Sequence, residues 1–404
     1  MNVSFRFIFN LSMLISFLNS MHAWFFWHTN SAYIGLVVSI FVCFYIIIEP
    51  VKLKFSYRKT IGVILLLLSY YIGYSKDFNT IVGMFFIIFP IIALIHIEDE
   101  EIHSGLLNFI ANFFAILLPI SLVVFWLSHA GLPVIKEIPP PTFKYGSDFR
   151  CYIFAIQSNF YGIRFSSIFL EPGHLGMILA YLLYALKFNL KDIRVIIIIV
   201  SIIFTISLAA YVLMILAFAL TLYANKKLKI RYVVATILFF ILLYIIAKNY
   251  NDGRNYLNGA FFKRLEFSED KLIAGNNRTY GMFDDFYELA MEHKNLLLWG
   301  IGVDNFLLLF ENADFGGAGI KAFVLRQGLV ALIFIFLGYI FMGASIIAKK
   351  NRRYLIGFIV LYVASFLQRA YPFWTSWLIL FIIGLHNFNN INNIKNCDQL
   401  EAKE

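Results

Sequence analysis

Apolar runs of about 20 residues recur along almost the whole chain, and they constrain its fold more than any other feature. A helix of this length crosses the hydrocarbon core of a bilayer while bonding all its backbone polar groups internally. Such runs lie near residues 5–22, 31–49, 60–75, 79–97, 105–128, 172–187, 194–207, 208–224, 232–247, 322–347, 354–369 and 373–388. The sequence therefore predicts an all-α polytopic membrane protein with about 12 transmembrane helices.

The composition agrees with a membrane protein and argues against a nucleic-acid-binding one. Of the 404 residues, 61% are hydrophobic and 14% are charged, whereas a soluble chain carries about 25% charged residues. The net charge of +9 would suit a nucleic acid, but the Lys and Arg residues cluster in short loops, as is typical of cytoplasmic loops. The clusters lie at 52–59, 187–194, 226–231 and 349–353. All four face one side of the membrane if both termini are cytoplasmic.

This orientation places two long polar loops on the outward side, periplasmic or extracellular. The predicted parts are helices 1–5 (1–128), the first outward loop (129–171), helices 6–9 (172–247), the second outward loop with an amphipathic helix (248–321), helices 10–12 (322–388) and a disordered cytoplasmic tail (389–404). The first apolar run is interpreted as a retained span rather than a cleaved signal peptide. The three cysteines are too scattered to indicate a disulfide framework or a metal cluster.

Polar side chains gather where the first outward loop meets the sixth predicted helix. Glu171 precedes Pro172, which favours an extended backbone at the glutamate and the start of a helix at the proline. His174 follows three residues after Glu171, so both side chains can share one face of the helix and take a proton from a hydroxyl group. Because charges at membrane depth are costly, we predict that Glu171 and His174 are catalytic. The alternative is a Glu171 that caps the helix and a His174 held by interfacial hydrogen bonds.

Three arginines in the outward loops are predicted to bind an anionic substrate. Arg164 lies seven residues before Glu171, and Arg264 and Arg278 lie in the second outward loop. A guanidinium fork suits a phosphate or a carboxylate better than an ammonium group does. Arg164 could instead pair internally with Glu171, and the other two could be solvated loop charges. Arg369, in the hairpin between the last two predicted helices, is interpreted as a residue that reaches the lipid headgroups.

The second outward loop also contains an amphipathic helix followed by a glycine turn. Residues 282–292 carry apolar side chains at helical spacing and lead into a Leu-Trp-Gly-Ile-Gly run that contains Gly300 and Gly302. No strand–turn–helix pattern surrounds these glycines, which argues against a dinucleotide site. The pattern predicts a tight turn at the membrane surface whose backbone approaches a ligand. A further glycine-rich run at 316–319 predicts a flexible turn before the tenth helix.

Together these features resemble the bacterial O-antigen polymerase (Wzy-type) family, within the group that also contains O-antigen ligases. The resemblance rests on the number of spans, the Ser-Ile-Phe-Leu-Glu-Pro-Gly-His motif that ends at His174, the Arg278 helix that ends in Leu-Trp-Gly-Ile-Gly, and the glycine-rich run before the tenth helix. Some ligase-like members carry His-Asn after the Gly-x-Gly, where this chain has Asp304-Asn305. That departure makes a ligase role less expected and leaves the identity of the catalytic base open.

The resemblance implies a metal-independent glycosyltransferase at the outer face of the bacterial cytoplasmic membrane, with no cofactor and no nucleic-acid partner. The donor would be a glycan on undecaprenyl pyrophosphate, and the acceptor a single lipid-linked repeat unit. The other implied partners are the lipid bilayer, a chain-length regulator and a flippase. Glu171 or His174 would activate the acceptor hydroxyl, and the arginines would neutralise the pyrophosphate. The implied substrate-binding residues are Arg164, Arg264, Arg278, Gly300, Gly302 and Asn305.

Other functions fit part of the same pattern. The product could be O-antigen or capsular polysaccharide, and a ligase that moves the finished glycan onto lipid A core would share every motif and differ only in its acceptor. A flippase for the lipid-linked oligosaccharide belongs to another class, and it should have charged or broken helices around a cavity at the bilayer midplane. The charges of this chain concentrate in the two outward loops, which favours an enzyme over a flippase or an assembly subunit without catalysis.

Overall fold

The computed structural model describes residues 3–73, 78–139, 148–158, 162–227, 238, 241–242, 244–255, 258–259, 281–310, 319–369 and 375–401. Helices dominate these ranges. They are α1 (Val3–Ser20), α2 (Ser31–Ile48), α3 (Tyr57–Gly73), α4 (Phe78–His96), α5 (Glu100–His129), α6 (Pro172–Ala185), α7 (Ile193–Phe204), α8 (Leu208–Ala224), α9 (Gly281–Met291), α10 (Lys294–Trp299), α11 (Val303–Phe310), α12 (Ile320–Ile346), α13 (Arg352–Gln368) and α14 (Thr375–Glu401).

The helices follow the apolar runs of the sequence. Each predicted run coincides with a helix, except that the ninth, at 232–247, lies mostly outside the described residues. Within the described ranges, four helices are long and apolar enough to cross a membrane, namely α2, α4, α5 and α12. The apolar parts of α1, α6, α7 and α8 are shorter. The chain is therefore mostly helical with membrane-type segments, while the arrangement of twelve spans stays a prediction.

The sixth predicted span is the centre of the helical core. Every residue of α6 from Pro172 to Ala185 is buried, as expected for a helix that is apolar on all sides. It packs against α7, α8, α13 and α14. A Cβ atom added at Gly176 would lie 2.2 Å from the Cβ of Ala210 on α8, so the glycine allows the two backbones to approach closely. The motif that precedes α6 is thereby joined to a helix whose residues are all buried.

The helix α12 is broken near its start, at Gly328 (φ 78°, ψ 171°). An interrupted helix leaves carbonyl groups without their usual partners four residues further on. The carbonyls of Leu325 and Arg326 accept hydrogen bonds from the backbone N–H groups of Ile301 (2.8 Å) and Gly302 (3.0 Å). The turn between α10 and α11 is thus inserted into the break and restores the bonding of the interrupted backbone.

A small antiparallel sheet within the first predicted outward loop departs from an all-helical chain. Its strands are β1 (Lys136–Ile138), β2 (Phe149–Cys151) and β3 (Ile156–Gln157), in the order β1-β2-β3. The apolar side of the sheet packs with Leu170 against Trp24 and Trp27 of the α1–α2 loop. The sheet therefore fixes the stretch that leads into α6.

The C-terminal helix continues beyond the end of the twelfth predicted span. We expected a disordered tail from residue 389, but α14 runs from Thr375 to Glu401. Asn389 bonds this helix to the α12–α13 connection, since its Nδ2 donates to the carbonyl of Ile346 (2.8 Å) and its Oδ1 accepts from the N–H of Ala348 (3.1 Å). The backbone is therefore helical to Glu401, whereas the Asn-rich composition predicted disorder from residue 389.

Candidate functional site

The stretch before α6 is held in place by backbone hydrogen bonds on both sides. On one side the N–H of Ile156 in β3 donates to the carbonyl of Ser167 (2.9 Å). On the other, the N–H of Trp24 in the α1–α2 loop donates to the carbonyl of Ile168 (3.0 Å). Glu171 itself is extended (φ −135°, ψ 139°), and α6 begins at Pro172, as the sequence predicts. The position of Glu171 therefore depends on parts of the chain that are far apart in sequence.

Glu171 occupies the N-cap position of α6 without acting as a cap. Its side chain makes no capping hydrogen bond to the first turn of the helix. Its carboxylate instead accepts a hydrogen bond, within an ion pair, from Nη2 of Arg369, the residue that follows α13. Glu171 is 7% exposed. Because a buried carboxylate without a cation would be very costly, the Arg369 contact explains how this charge is kept in the core.

Arg369 also contacts His174, so that one guanidinium group joins both predicted catalytic residues. Its Nη1 donates to Nε2 of His174 at 2.5 Å, and that nitrogen lies 3.7 Å from the Glu171 carboxylate. A guanidinium has only donors, so Nε2 of His174 is the acceptor in this contact. His174 is 2% exposed. The three-residue spacing correctly placed Glu171 and His174 side by side.

Gly173 leaves room for this guanidinium above the first turn of α6. A Cβ atom added there would lie 3.4 Å from Nη2 of Arg369. The interpretation of Arg369 as a residue that reaches the headgroups is wrong, because its side chain turns inward and is only 20% exposed. One sequence signal could have found the pair. Glu171 needed a cation at the same predicted side of the membrane, and Arg369 ends the eleventh predicted span on that side.

His22 is a second neighbour that the sequence reasoning missed. It lies in the α1–α2 loop, and its ring centroid is 6.4 Å from that of His174. Its backbone is left-handed (φ 53°), and its carbonyl accepts a hydrogen bond from Nε1 of Trp27 at 2.8 Å. Part of His22 remains exposed, but protein atoms crowd the ring, and this desolvation lowers its pKa while the charge of Glu171 acts in the opposite direction. A neutral imidazole therefore faces the cluster at neutral pH.

Of the three arginines that were predicted to bind substrate, the structure describes one. Arg164 is half-buried, and its Nε donates to the carbonyl of Thr205, between α7 and α8, at 3.3 Å. Arg264 and Arg278 lie outside the described residues, so their predicted roles stay predictions. Among the described side chains, no three of His, Cys, Asp and Glu converge as metal ligands.

The amphipathic helix predicted at 282–292 is present as α9 (Gly281–Met291). Its buried residues Phe283 and Ala290 pack against Ala322 and Leu325 at the start of α12. The side chain of Phe323 in turn contacts Phe366 of α13 (ring centroids 5.2 Å apart), three residues before Arg369. The second predicted outward loop thus packs beside the end of the bundle that holds Glu171.

The glycine turn has a structural role of its own. The N–H groups of Ile301 and Gly302 bond to α12, and that of Gly300 bonds to the carbonyl of Leu296 (2.8 Å). Nδ2 of Asn305 donates to the carbonyl of Ile301 at 2.8 Å. These N–H groups are therefore occupied by protein and not offered to a ligand, although Gly300 and Asn305 line an open cavity of about 500 Å³. A role of this cavity in substrate binding stays a prediction.

The chain matches no model of a known protein family, no curated protein and no solved structure.

Proposed function

We propose that this chain polymerises oligosaccharide repeat units carried on undecaprenyl pyrophosphate, at the outer face of the bacterial cytoplasmic membrane. The observation that carries the proposal is the buried cluster of Glu171, His174 and Arg369 at the start of α6. The cluster combines two groups that can accept a proton with a cation that can bind a phosphate. Both termini would be cytoplasmic, and the product would be O-antigen or capsular polysaccharide.

The chemistry requires a base and a stabilised leaving group. A hydroxyl oxygen of the acceptor unit forms a bond to the anomeric carbon of the donor glycan. The bond from that carbon to the lipid pyrophosphate breaks, and the pyrophosphate leaves with the electron pair. The hydroxyl proton passes to the carboxylate of Glu171 or to Nε2 of His174. A cation beside the departing oxygen lowers the barrier because it neutralises the charge that develops there.

The contacts of Arg369 suggest how substrate binding prepares the base. In the structure, the guanidinium occupies the lone pair of His174 Nε2 and one carboxylate oxygen of Glu171. A pyrophosphate is a stronger hydrogen-bond acceptor for the guanidinium than a neutral imidazole is. We propose that the donor draws Arg369 onto its pyrophosphate, which frees the imidazole lone pair for the acceptor hydroxyl. The cluster would then be an active base only when the donor is bound.

The alternative functions differ from a polymerase either in the acceptor of the glycan or in the class of protein. A ligase would use the same cluster with a lipid A core acceptor. A flippase should have a broken helix around a polar cavity, and α12 is broken at Gly328. That break is filled by the turn at Ile301 and Gly302, so it does not favour transport over catalysis.

Complementation of a strain that lacks its own copy of the gene tests the proposal. Wild type, Glu171→Gln, His174→Ala, Arg369→Ala and Arg278→Ala are compared at equal membrane levels, and the surface glycan is resolved on a gel. We expect a ladder of chain lengths from wild type and a single-repeat band from the Glu171 and Arg369 variants. Asp99→Asn is the matched control, because Asp99 is an acidic N-cap of another helix, α5, and its ladder should be normal.

Other band patterns of the surface glycan would indicate a different function. Loss of even the single-repeat band on deletion of the gene, with lipid-linked units accessible from outside, would indicate a ligase. The same loss with units that stay inaccessible would indicate a flippase. Normal ladders from all four variants would show that the cluster is not catalytic.

A further inference from the structure

A second polar cavity lies at the opposite end of α6 from Glu171. It has a volume of about 620 Å³ and opens between the turn after α6, α5, α7, α8 and α14. Its charged lining consists of Lys187, Arg194 and Lys227 with one carboxylate, that of Asp192. The lining thus carries an excess of positive charge, although the proposed transfer reaction makes no use of it. We call it the basic cavity.

The backbone at the basic cavity is strained in a way that positions Lys187. Lys187 (φ 60°) and Phe188 (φ 48°) are consecutive non-glycine residues in the left-handed region, a conformation that costs about 1 kcal/mol or more per residue. The turn is closed by hydrogen bonds from the N–H groups of Lys187 and Phe188 to the carbonyls of Tyr184 and Leu183, both 2.9 Å. It folds Lys187 back toward α14, where Nζ donates to the carbonyl of Asn387 at 2.8 Å.

The cationic side chains of this cavity have different hydrogen-bond partners. Arg194 is fixed by Asp192 and by the side-chain oxygens of Asn108 and Asn112, both 3.0 Å from Nη1. Nζ of Lys187 donates to the carbonyl and the side-chain oxygen of Asn387 and lies 5.6 Å from the ring centroid of Phe388. These contacts hold the ammonium group of Lys187 against α14, within the lining of the cavity. Lys227 adds an exposed ammonium group to the lining.

Part of the lining of the basic cavity is apolar and exposed. Leu190 and Phe218 line it and are 56% and 40% exposed. The neighbouring Ile193, at the start of α7, is 64% exposed. A ligand that places a negative headgroup among the lysines would thus rest its hydrocarbon part against these side chains. An anionic lipid has both features, whereas free phosphate uses only the charged part of the cavity.

We infer that the basic cavity binds the phosphate headgroup of an anionic membrane lipid, on the side where the Lys and Arg loops cluster. The bound lipid would bridge the end of α6 to α8 through Lys187 and Lys227. This site is separate from the proposed transferase cluster, and its test requires no glycan. The simpler account is that these lysines only offset the negative ends of helices and follow the positive-inside bias.

Binding by the purified full chain in neutral detergent separates the two accounts. A short-chain phosphatidylglycerol is titrated, with phosphatidylcholine and inorganic phosphate as comparisons, and binding is followed by the rise in melting temperature and by native mass spectrometry. We expect phosphatidylglycerol to bind at least tenfold more tightly than phosphatidylcholine or inorganic phosphate. The double variant Lys187→Gln/Lys227→Gln should lose that tenfold preference.

The chain offers a matched control for charge. Lys191 and Lys226 are neighbours of the lining residues in sequence, are exposed, and do not line the cavity. The variant Lys191→Gln/Lys226→Gln removes the same net charge and should bind phosphatidylglycerol as wild type does. Lys227→Gln alone, at an exposed position, covers the case in which replacement of Lys187 prevents folding, and it should weaken binding severalfold.

Three results would overturn the inference. Equal loss of binding in both double variants, or in Lys227→Gln and Lys226→Gln, would show general surface attraction. Equal binding of phosphatidylglycerol and phosphatidylcholine would remove the role of the anionic headgroup. Inorganic phosphate that binds as tightly as phosphatidylglycerol would make the cavity a phosphate site rather than a lipid site.

Discussion

The helices α5 and α6 both have an acidic residue at the N-cap, and the two carboxylates make different contacts. At the start of α5, the side chain of Asp99 accepts a hydrogen bond from the N–H of Glu101, two residues further on, at 2.8 Å. This contact is an ordinary N-cap. At the start of α6, Glu171 makes no capping bond and pairs with Arg369, 198 residues away. The Asp99 carboxylate caps the helix that it begins, whereas the Glu171 carboxylate pairs with a residue from a distant part of the chain.

The same contrast extends to the ion pairs near these two carboxylates. Near Asp99, the pair between Lys54 and Glu98 (2.6 Å) has side chains that are 62% and 40% exposed. An exposed pair of this kind contributes about 0–1 kcal/mol. The pair between Glu171 and Arg369 has side chains that are 9% and 20% exposed. A buried pair is weak evidence for stability, and its presence at Glu171 is consistent with the proposed role of this residue in the reaction.

The largest expected effect separates the two carboxylates by activity. Glu171→Gln removes the charge and the basicity of the carboxylate, and we expect a loss of chain elongation of about 10²- to 10⁴-fold, the usual contribution of a general base. Asp99→Asn keeps a capping side chain and should change the rate less than about twofold. The amount of polymer per cell, normalised to protein in the membrane, measures both. An equal loss in the two variants would remove the distinction.

Stability distinguishes a catalytic pair from a structural one. Arg369→Ala leaves the Glu171 charge buried without its cation, and we expect the free energy of unfolding to fall by about 3–5 kcal/mol. The double variant Glu171→Leu/Arg369→Leu replaces both charges by apolar side chains and should recover most of that loss. Unfolding in mixed detergent micelles measures the free energies. If the double variant recovered elongation together with stability, the pair would be structural.

A substitution at the break in α12 should have an intermediate effect on the free energy of unfolding. A Cβ atom added at Gly328 would lie 2.2 Å from the carbonyl oxygen of Leu298, and the backbone there has positive φ. We expect Gly328→Ala to reduce the free energy of unfolding by about 1–3 kcal/mol or more, because both the strain and the clash oppose it. Gly105→Ala, in α5, meets no atom within 4 Å and should be neutral or stabilising by up to about 1 kcal/mol. Thermal unfolding of both variants checks this.

The smallest expected effect is the loss of an ordinary cap. Asp99→Ala should reduce the free energy of unfolding by about 0.5–2 kcal/mol, the usual value for a lost N-cap. Activity at a temperature well below the unfolding midpoint should not change. A large loss of activity at normal stability would show that Asp99, too, takes part in function.

The sequence predicted those parts of the structure that depend on local pattern. Apolar runs located the helices, and Pro172 located the start of α6, because hydrophobicity and proline geometry act within a few residues. The three-residue spacing of Glu171 and His174 also placed them correctly next to each other. The strands β1–β3 were missed, since two or three residues carry too little periodicity to be recognised.

The ion pair between Arg369 and Glu171 could not be predicted in the same way. Arg369 reaches Glu171 only because α13 packs against α6, and no local pattern encodes a contact over 198 residues. The turn at Gly300 and Gly302 was correctly expected to be tight, but the N–H groups of Ile301 and Gly302 bond to α12 and that of Gly300 bonds to Leu296. Only tertiary structure could reveal that the glycines serve a broken helix.

One measurement tests the difference between the two carboxylates most directly. Lipid-linked repeat units from a strain that lacks the gene are placed in proteoliposomes with purified wild type, Glu171→Gln or Asp99→Asn, each shown to be folded by its melting temperature. We predict that wild type and Asp99→Asn build chains at similar rates and that Glu171→Gln elongates at least about 100-fold more slowly. A folded Glu171→Gln that elongates at the wild-type rate would contradict the assignment of Glu171 to the reaction.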